Sequence, residues 1–120
     1  MDWRPHIVVV EDEAAGRQLL IGYLSKRGYR VTGFASGVGL RRLVEREIPN
    51  LVLLDIGLPD VEGFEVARSL ADDGQPPYVV LTSSREATEY GPRLTTSRAL
   101  GFLPKDELSG PAIRALADAV

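Results

Sequence analysis

The chain is built from short apolar runs that stop abruptly at polar or turn residues, separated by longer stretches with helical periodicity. His6–Val10, residues 29–34, Leu51–Asp55, residues 78–81 and residues 100–104 read as five strands. The first and third are nearly continuous in Val, Leu and Ile, which fits a sheet buried on both faces. Leu19, Leu20, Tyr23 and Leu24 recur at helical spacing and predict an amphipathic helix over about 13–27, stopped by Gly28. Ser36 is placed to cap a second helix carrying Leu40, Leu43 and Val44, ending near Ile48 and Pro49. Phe64, Val66, Ala67 and Leu70 form the apolar face of a third. The segment 85–98 lacks a clear period, and Gly91-Pro92 interrupts it, so one short or broken helix is expected there, restarting at Pro92. Pro111 suits the first turn of a last helix carrying Ile113, Leu116, Ala117 and Val120. Strands alternating with helices predict a doubly wound parallel sheet with about five flanking helices, and five such units suggest the flavodoxin-like order 2-1-3-4-5.

Composition narrows the possibilities. At 120 residues the chain has the size of one domain, expected to span 1–120 with a real core. Its net charge of −3 offers no basic field, so direct nucleic-acid binding is not expected. The absence of cysteine excludes disulfides and thiolate metal sites, and a single histidine excludes a multi-histidine one. No apolar run is long enough to span a membrane and no signal-peptide pattern opens the chain, so a cytoplasmic location away from membranes is expected.

The candidate chemistry lies at the strand ends. An ionised Asp is rarely buried unpaired, so Asp55 belongs at the carboxyl end of the third strand, where such sheets bind ligands. The same edge collects Glu11 and Asp12 after the first strand, Thr82 after the fourth and Lys105 after the fifth. Alone, each has a plain reading: first-turn helix acids, a strand-end hydroxyl, a solvated charge. Together, three carboxylates repel one another, and a bound cation relieves the repulsion. With oxygen ligands only, Mg²⁺ is the natural choice. The hydroxyl of Thr82 and the ammonium of Lys105 suit a phosphoryl group, and a carboxylate can accept one as an aspartyl-phosphate. His6 on its apolar strand, and Asp60 and Glu62 after the third strand, read as structural.

Glu11-Asp12, Asp55-Ile56-Gly57-Leu58-Pro59 with Gly63, Thr82-Ser83 and Lys105, in this order on these strand ends, resemble the receiver domain of two-component response regulators. The resemblance covers essentially the whole chain. It implies that Asp55 takes a phosphoryl group from the phosphohistidine of a sensor histidine kinase or phosphotransfer protein. It implies Mg²⁺ held by Glu11, Asp12, Asp55 and the backbone carbonyl of Gly57, with Thr82 and Lys105 contacting the phosphoryl group. It further implies a switch through Thr82 and Phe102 that reshapes the face of helix four, strand five and helix five. That face would meet a downstream protein target or a second copy in a homodimer. Such a protein promotes its own phosphorylation and slow dephosphorylation rather than turning over a substrate.

Several positions depart from the family pattern. Asp106 follows Lys105 where proline is common, so a trans bond is expected. Pro104 stiffens the end of strand five, Ser83 replaces a frequent alanine, Phe102 lacks the hydroxyl of a frequent tyrosine, and Arg98 stands where glycine is common. These keep open a phosphorylation-independent interaction module on the same fold. An aspartate-nucleophile hydrolase would want an acid two residues after Asp55, where Gly57 stands. A flavodoxin-type electron carrier would want a phosphate-cradling loop where this chain is acidic. The residues fit a single-domain switch acting through protein contacts and, equally, the receiver part of a longer regulator.

Overall fold

The computed structural model describes residues 4–60, 62–72, 76–84, 89–97, 99–107, 111–112 and 115. Five strands, β1 (His6–Val10), β2 (Arg30–Phe34), β3 (Leu51–Asp55), β4 (Tyr78–Ser83) and β5 (Gly101–Pro104), form one parallel sheet in the order β2-β1-β3-β4-β5. Helices α1 (Ala14–Lys26), α2 (Gly37–Val44), α3 (Gly63–Ala71) and the single turn α4 (Arg93–Thr96) connect them. This is the flavodoxin-like arrangement expected from the sequence. Pro111, Ala112 and Ala115 are helical, while most of the expected last helix, with Ile113, Leu116, Ala117 and Val120, lies outside the described residues. So do Arg98 and the break at 73–75.

The near-continuous apolar runs of β1 and β3 are explained by the two cores they serve. Successive side chains point to opposite faces. Val8, Val10, Val52, Leu54, Val79 and Leu81 pack against α2 and α3, whose Leu40, Leu43, Phe64, Val66, Ala67 and Leu70 are all buried. Ile7, Val9, Leu51, Leu53 and Val80 face the other way, toward Leu24, Leu20 and Tyr23 of α1. One expected core position fails. Leu19 is 75% exposed, because α1 turns Leu20, Tyr23 and Leu24 to the sheet and leaves Leu19 beside it.

The connections that aim the strand ends have local causes. Gly28 takes φ of 94°, and the Tyr29 N–H reaches back to the Leu24 carbonyl at 3.3 Å, closing the three-residue link between α1 and β2. Ser36 holds the N-cap position of α2 but makes no capping bond with its side chain. The Asp60 carboxylate does this instead, accepting from the Gly37 and Val38 N–H groups at 3.1 and 3.2 Å. The loop after β3 is thereby tied to the start of α2. Gly91, with φ of 57°, turns the chain into α4 at the expected restart beside Pro92. Among the described residues no peptide bond is cis, the Lys105-Asp106 bond included.

Candidate functional site

Parallel pairing puts every strand's carboxyl end on one edge, and register then decides which residues meet. Val10 pairs with Leu54, so Glu11 emerges beside Asp55; Asp55 in turn pairs with Thr82. Asp55 is the last residue of β3 and is 3% exposed. Its Oδ1 accepts from the Gly57 N–H at 2.9 Å, and its Oδ2 accepts from the Lys105 ammonium at 2.9 Å. Lys105 opens a 3₁₀ turn (Lys105–Glu107) directly after β5 and also donates to Glu11 Oε1 at 3.0 Å.

Glu11 is held on its backbone as well as its carboxylate. Its N–H donates to the Phe34 carbonyl at 3.0 Å, its carbonyl accepts from the Arg17 guanidinium at 2.8 Å, and Oε1 accepts from the Glu13 N–H at 3.1 Å. Asp12 is exposed beside it. One oxygen from each of Glu11, Asp12 and Asp55 falls within 4.8 Å of the others. That donor set, all hard oxygens with two of the three carboxylates buried, fits a small divalent cation such as Mg²⁺.

The charges are strongly coupled. Burial pushes the Glu11 carboxyl above its usual 4.5, against the opposing pull of the Glu13 N–H and Lys105. Burial acts to lower the Lys105 ammonium, but its bonds to Asp55 and Glu11 outweigh this and hold it above 10.5. Lys105 therefore stays charged at neutral pH between two buried acids.

A cavity of about 450 Å³ opens over this edge, with Asp12, Asp55, Gly57 and Lys105 on its floor. Thr82 is buried on the strand beside Asp55, and its hydroxyl makes no hydrogen bond to another described residue. The next residue, Ser83, lines the cavity and shares a hydrogen bond with the Tyr90 hydroxyl. Tyr90 stands edge-on between Phe64 and Phe102, with ring centroids 5.5 and 5.9 Å away. Phe102 is half-buried. Of the site residues expected from the sequence, Asp12, Asp55, Gly57 and Lys105 line the cavity, Glu11 and Thr82 stand beside Asp55 outside that lining, and Phe102 meets the lining residue Tyr90. Tyr90 and Arg93, which line it, are additions from the segment whose sequence carries no period. Glu62 also lines it, besides accepting from the Phe64 N–H at 3.2 Å as the cap of α3.

His6 is buried far from this edge, at the start of β1, with Nε2 2.8 Å from the Thr32 hydroxyl, as its structural reading requires. Among the described residues no helix is long and apolar enough to cross a membrane.

Comparison with known proteins bears on the family and the fold. Residues 7–116 match the family model of the response regulator receiver domain. The TorCAD operon transcriptional regulatory protein TorR of Escherichia coli is 43% identical over 67 residues, 56% of this chain and 29% of that protein. The virulence factors putative positive transcription regulator BvgA of Bordetella pertussis is 30% identical over 102 residues, 84% of this chain and 49% of BvgA. The chain thus spans less than half the length of these relatives. The crystal structure of the receiver domain of TorR superposes with a TM-score of 0.84 at 30% identity, covering 96% of this chain and 94% of that one. The chain belongs to the receiver domains of two-component response regulators.

Proposed function

We propose that residues 1–120 form one phosphoacceptor switch in which Asp55 takes a phosphoryl group from the phosphohistidine of a sensor kinase or phosphotransfer protein. The observation that carries this reading is the convergence on Asp55. Lys105 reaches it at 2.9 Å from the next-but-one strand, beside the Glu11 and Asp12 carboxylates. Receiver domains bind Mg²⁺ at an acidic cluster, and here Glu11, Asp12 and Asp55, with the Gly57 carbonyl, would hold it. When bound, Mg²⁺ supplies the positive charge that offsets both the carboxylates and the incoming phosphoryl oxygens.

In the transfer an oxygen of Asp55 forms a bond to phosphorus as the bond from phosphorus to the imidazole nitrogen breaks. The nitrogen keeps the electron pair. Lys105, already on Asp55, pairs with the added charge, and Thr82 donates its hydroxyl to a phosphoryl oxygen. Phe102, on β5 with its ring edge-on to Tyr90, would transmit the change to the face of α4, β5 and the following helix. Output is then a population shift in protein contacts at that face, with a downstream target or a second copy. This reading places the chain in the cytoplasm, where a kinase phosphohistidine and Mg²⁺ would both be at hand.

Intact mass after incubation with acetyl phosphate and Mg²⁺, beside Asp55→Asn, tests this. A gain of one phosphate on the unaltered chain alone is expected. The single-turn α4 and the missing hydroxyl at Phe102 favour a second reading, an interaction module that works without phosphorylation. No mass gain and no beryllofluoride binding, with Mg²⁺ binding intact, would establish that one instead.

A further inference from the structure

Two cationic side chains reach the cavity wall among its described lining residues, and only one of them is spent on Asp55. Lys105 is shared between Asp55 and Glu11. The other, Arg93, donates from Nη2 to Glu62 Oε1 at 2.7 Å, and its guanidinium carbon lies 4.3 Å over the Phe64 ring. Both partners of this ion pair are well exposed, Arg93 by 56% and Glu62 by 40%, so water competes for it and it is weakly held. Glu62 Oε1 also caps the Phe64 N–H, so that oxygen keeps a partner if Arg93 departs.

We infer that Arg93 is a second phosphoryl-contacting cation, held by Glu62 while Asp55 is unmodified and passed to the phosphoryl group once Asp55 carries it. The inference rests on the proposed role of Asp55. Phosphorylation replaces the single charge of that carboxylate with a phosphoryl group of about −1.5 to −2 and three acceptor oxygens. The new charge appears in the cavity that Arg93 already lines, and a planar guanidinium matches phosphoryl oxygens two at a time. Before modification Glu62 is the partner within 2.7 Å; afterwards a stronger acceptor shares the same wall. Because Arg93 is the first residue of α4, the exchange carries the charge state of the site directly into that helix.

The test is the affinity of the Mg²⁺-loaded chain for beryllofluoride, a phosphoryl mimic, in the unaltered chain, Arg93→Gln, Arg93→Lys and Glu62→Gln. Loss of Arg93 should weaken binding by up to about fivefold, the upper end for one partly solvated charge contact. Arg93→Lys should recover part of it. Glu62→Gln frees Arg93 and should tighten binding about twofold. Opposite signs for the two neutralised variants, with Mg²⁺ affinity in the absence of fluoride unchanged, are the expected result. If the Arg93–Glu62 pair merely braces the fold, both substitutions weaken beryllofluoride binding alike, and that outcome overturns the inference while leaving the role of Asp55 intact. Failure of the unaltered chain to bind beryllofluoride overturns both.

Discussion

The same substitution, glycine to alanine, should have opposite signs at two positions of this chain. Gly63 is buried at the start of α3, with its Cα side pressed against the end of β3. A methyl group there would lie 2.7 Å from the Ile56 Cα, 3.2 Å from the Asp55 carbonyl oxygen and 3.3 Å from that of Ile56. All three obstacles are backbone, so no side chain can swing aside; α3 or the loop after Asp55 must shift. Overpacking of this kind costs about 1–3 kcal/mol, and because Gly63 is the first residue of α3 rather than an interior one, the usual helix advantage of alanine does little to offset it. The net loss is about 1–3 kcal/mol. Unfolding entropy of about 2.1 cal/mol/K per residue then lowers Tm by about 4–12 °C in a chain of 120 residues. Gly22 is the control. It sits exposed inside α1 with nothing within 4 Å of the added methyl, so Gly22→Ala should gain about 0.5–1 kcal/mol and raise Tm by about 2–4 °C.

Calorimetric melts of both variants measure this, and Mg²⁺ titration shows where the strain goes. The Gly63→Ala displacement reaches the Asp55 backbone, so Mg²⁺ affinity should fall there and stay unchanged in Gly22→Ala. A Gly63→Ala variant as stable as the unaltered chain would refute the claim that close approach of α3 to β3 is what demands glycine.

Lys105→Met leaves the buried Glu11 and Asp55 carboxylates facing each other without a cation. With Lys105 itself 29% exposed, the loss should be about 1–3 kcal/mol in urea melts, and added Mg²⁺ should restore more stability to the variant than to the unaltered chain. Asp60→Ala removes the acceptor for the first N–H groups of α2; a loss of about 0.5–2 kcal/mol is expected, with faster hydrogen exchange at Gly37 and Val38. Titrations of Mg²⁺ across pH should show affinity weakening on acidification from a pH above 4.5, because burial raises the Glu11 carboxyl and its proton displaces the metal. In the metal-free chain the sign reverses. The folded state holds that proton more tightly than the unfolded one, so the contribution of Glu11 to stability falls as pH rises through its raised value. Lys105 contributes fully below 10.5, and its contribution is lost as pH climbs through its own raised value.

What the sequence made legible follows from the sheet. A parallel strand buried on both faces must be apolar until it ends, so the first polar residue marks the carboxyl edge. One topology then delivers Glu11, Asp12, Asp55, Thr82 and Lys105 to the same place. Periodicity carries less information about the helices. It shows that α1 has an apolar stripe, but whether Leu19 is covered depends on how the helix is rotated against strands far away in sequence. Capping escapes local sequence for a related reason. Ser36 has the right chemistry next to α2, yet Asp60, which is 23 residues from Gly37, satisfies the same N–H groups with a full charge. The Glu62–Arg93 pair spans 31 residues and joins two segments that no hydrophobic period connects. Local sequence therefore reports what a residue's own strand or helix imposes, and it misses contacts made between loops. In this fold the proposed acceptor and metal ligands belong to the first kind, and the residues that would carry their state to α4 belong to the second. Receiver domains that share Glu11, Asp12, Asp55 and Lys105 by pattern can thus differ in how the signal leaves the site, and here the difference is expected at Glu62, Ser83, Tyr90 and Arg93.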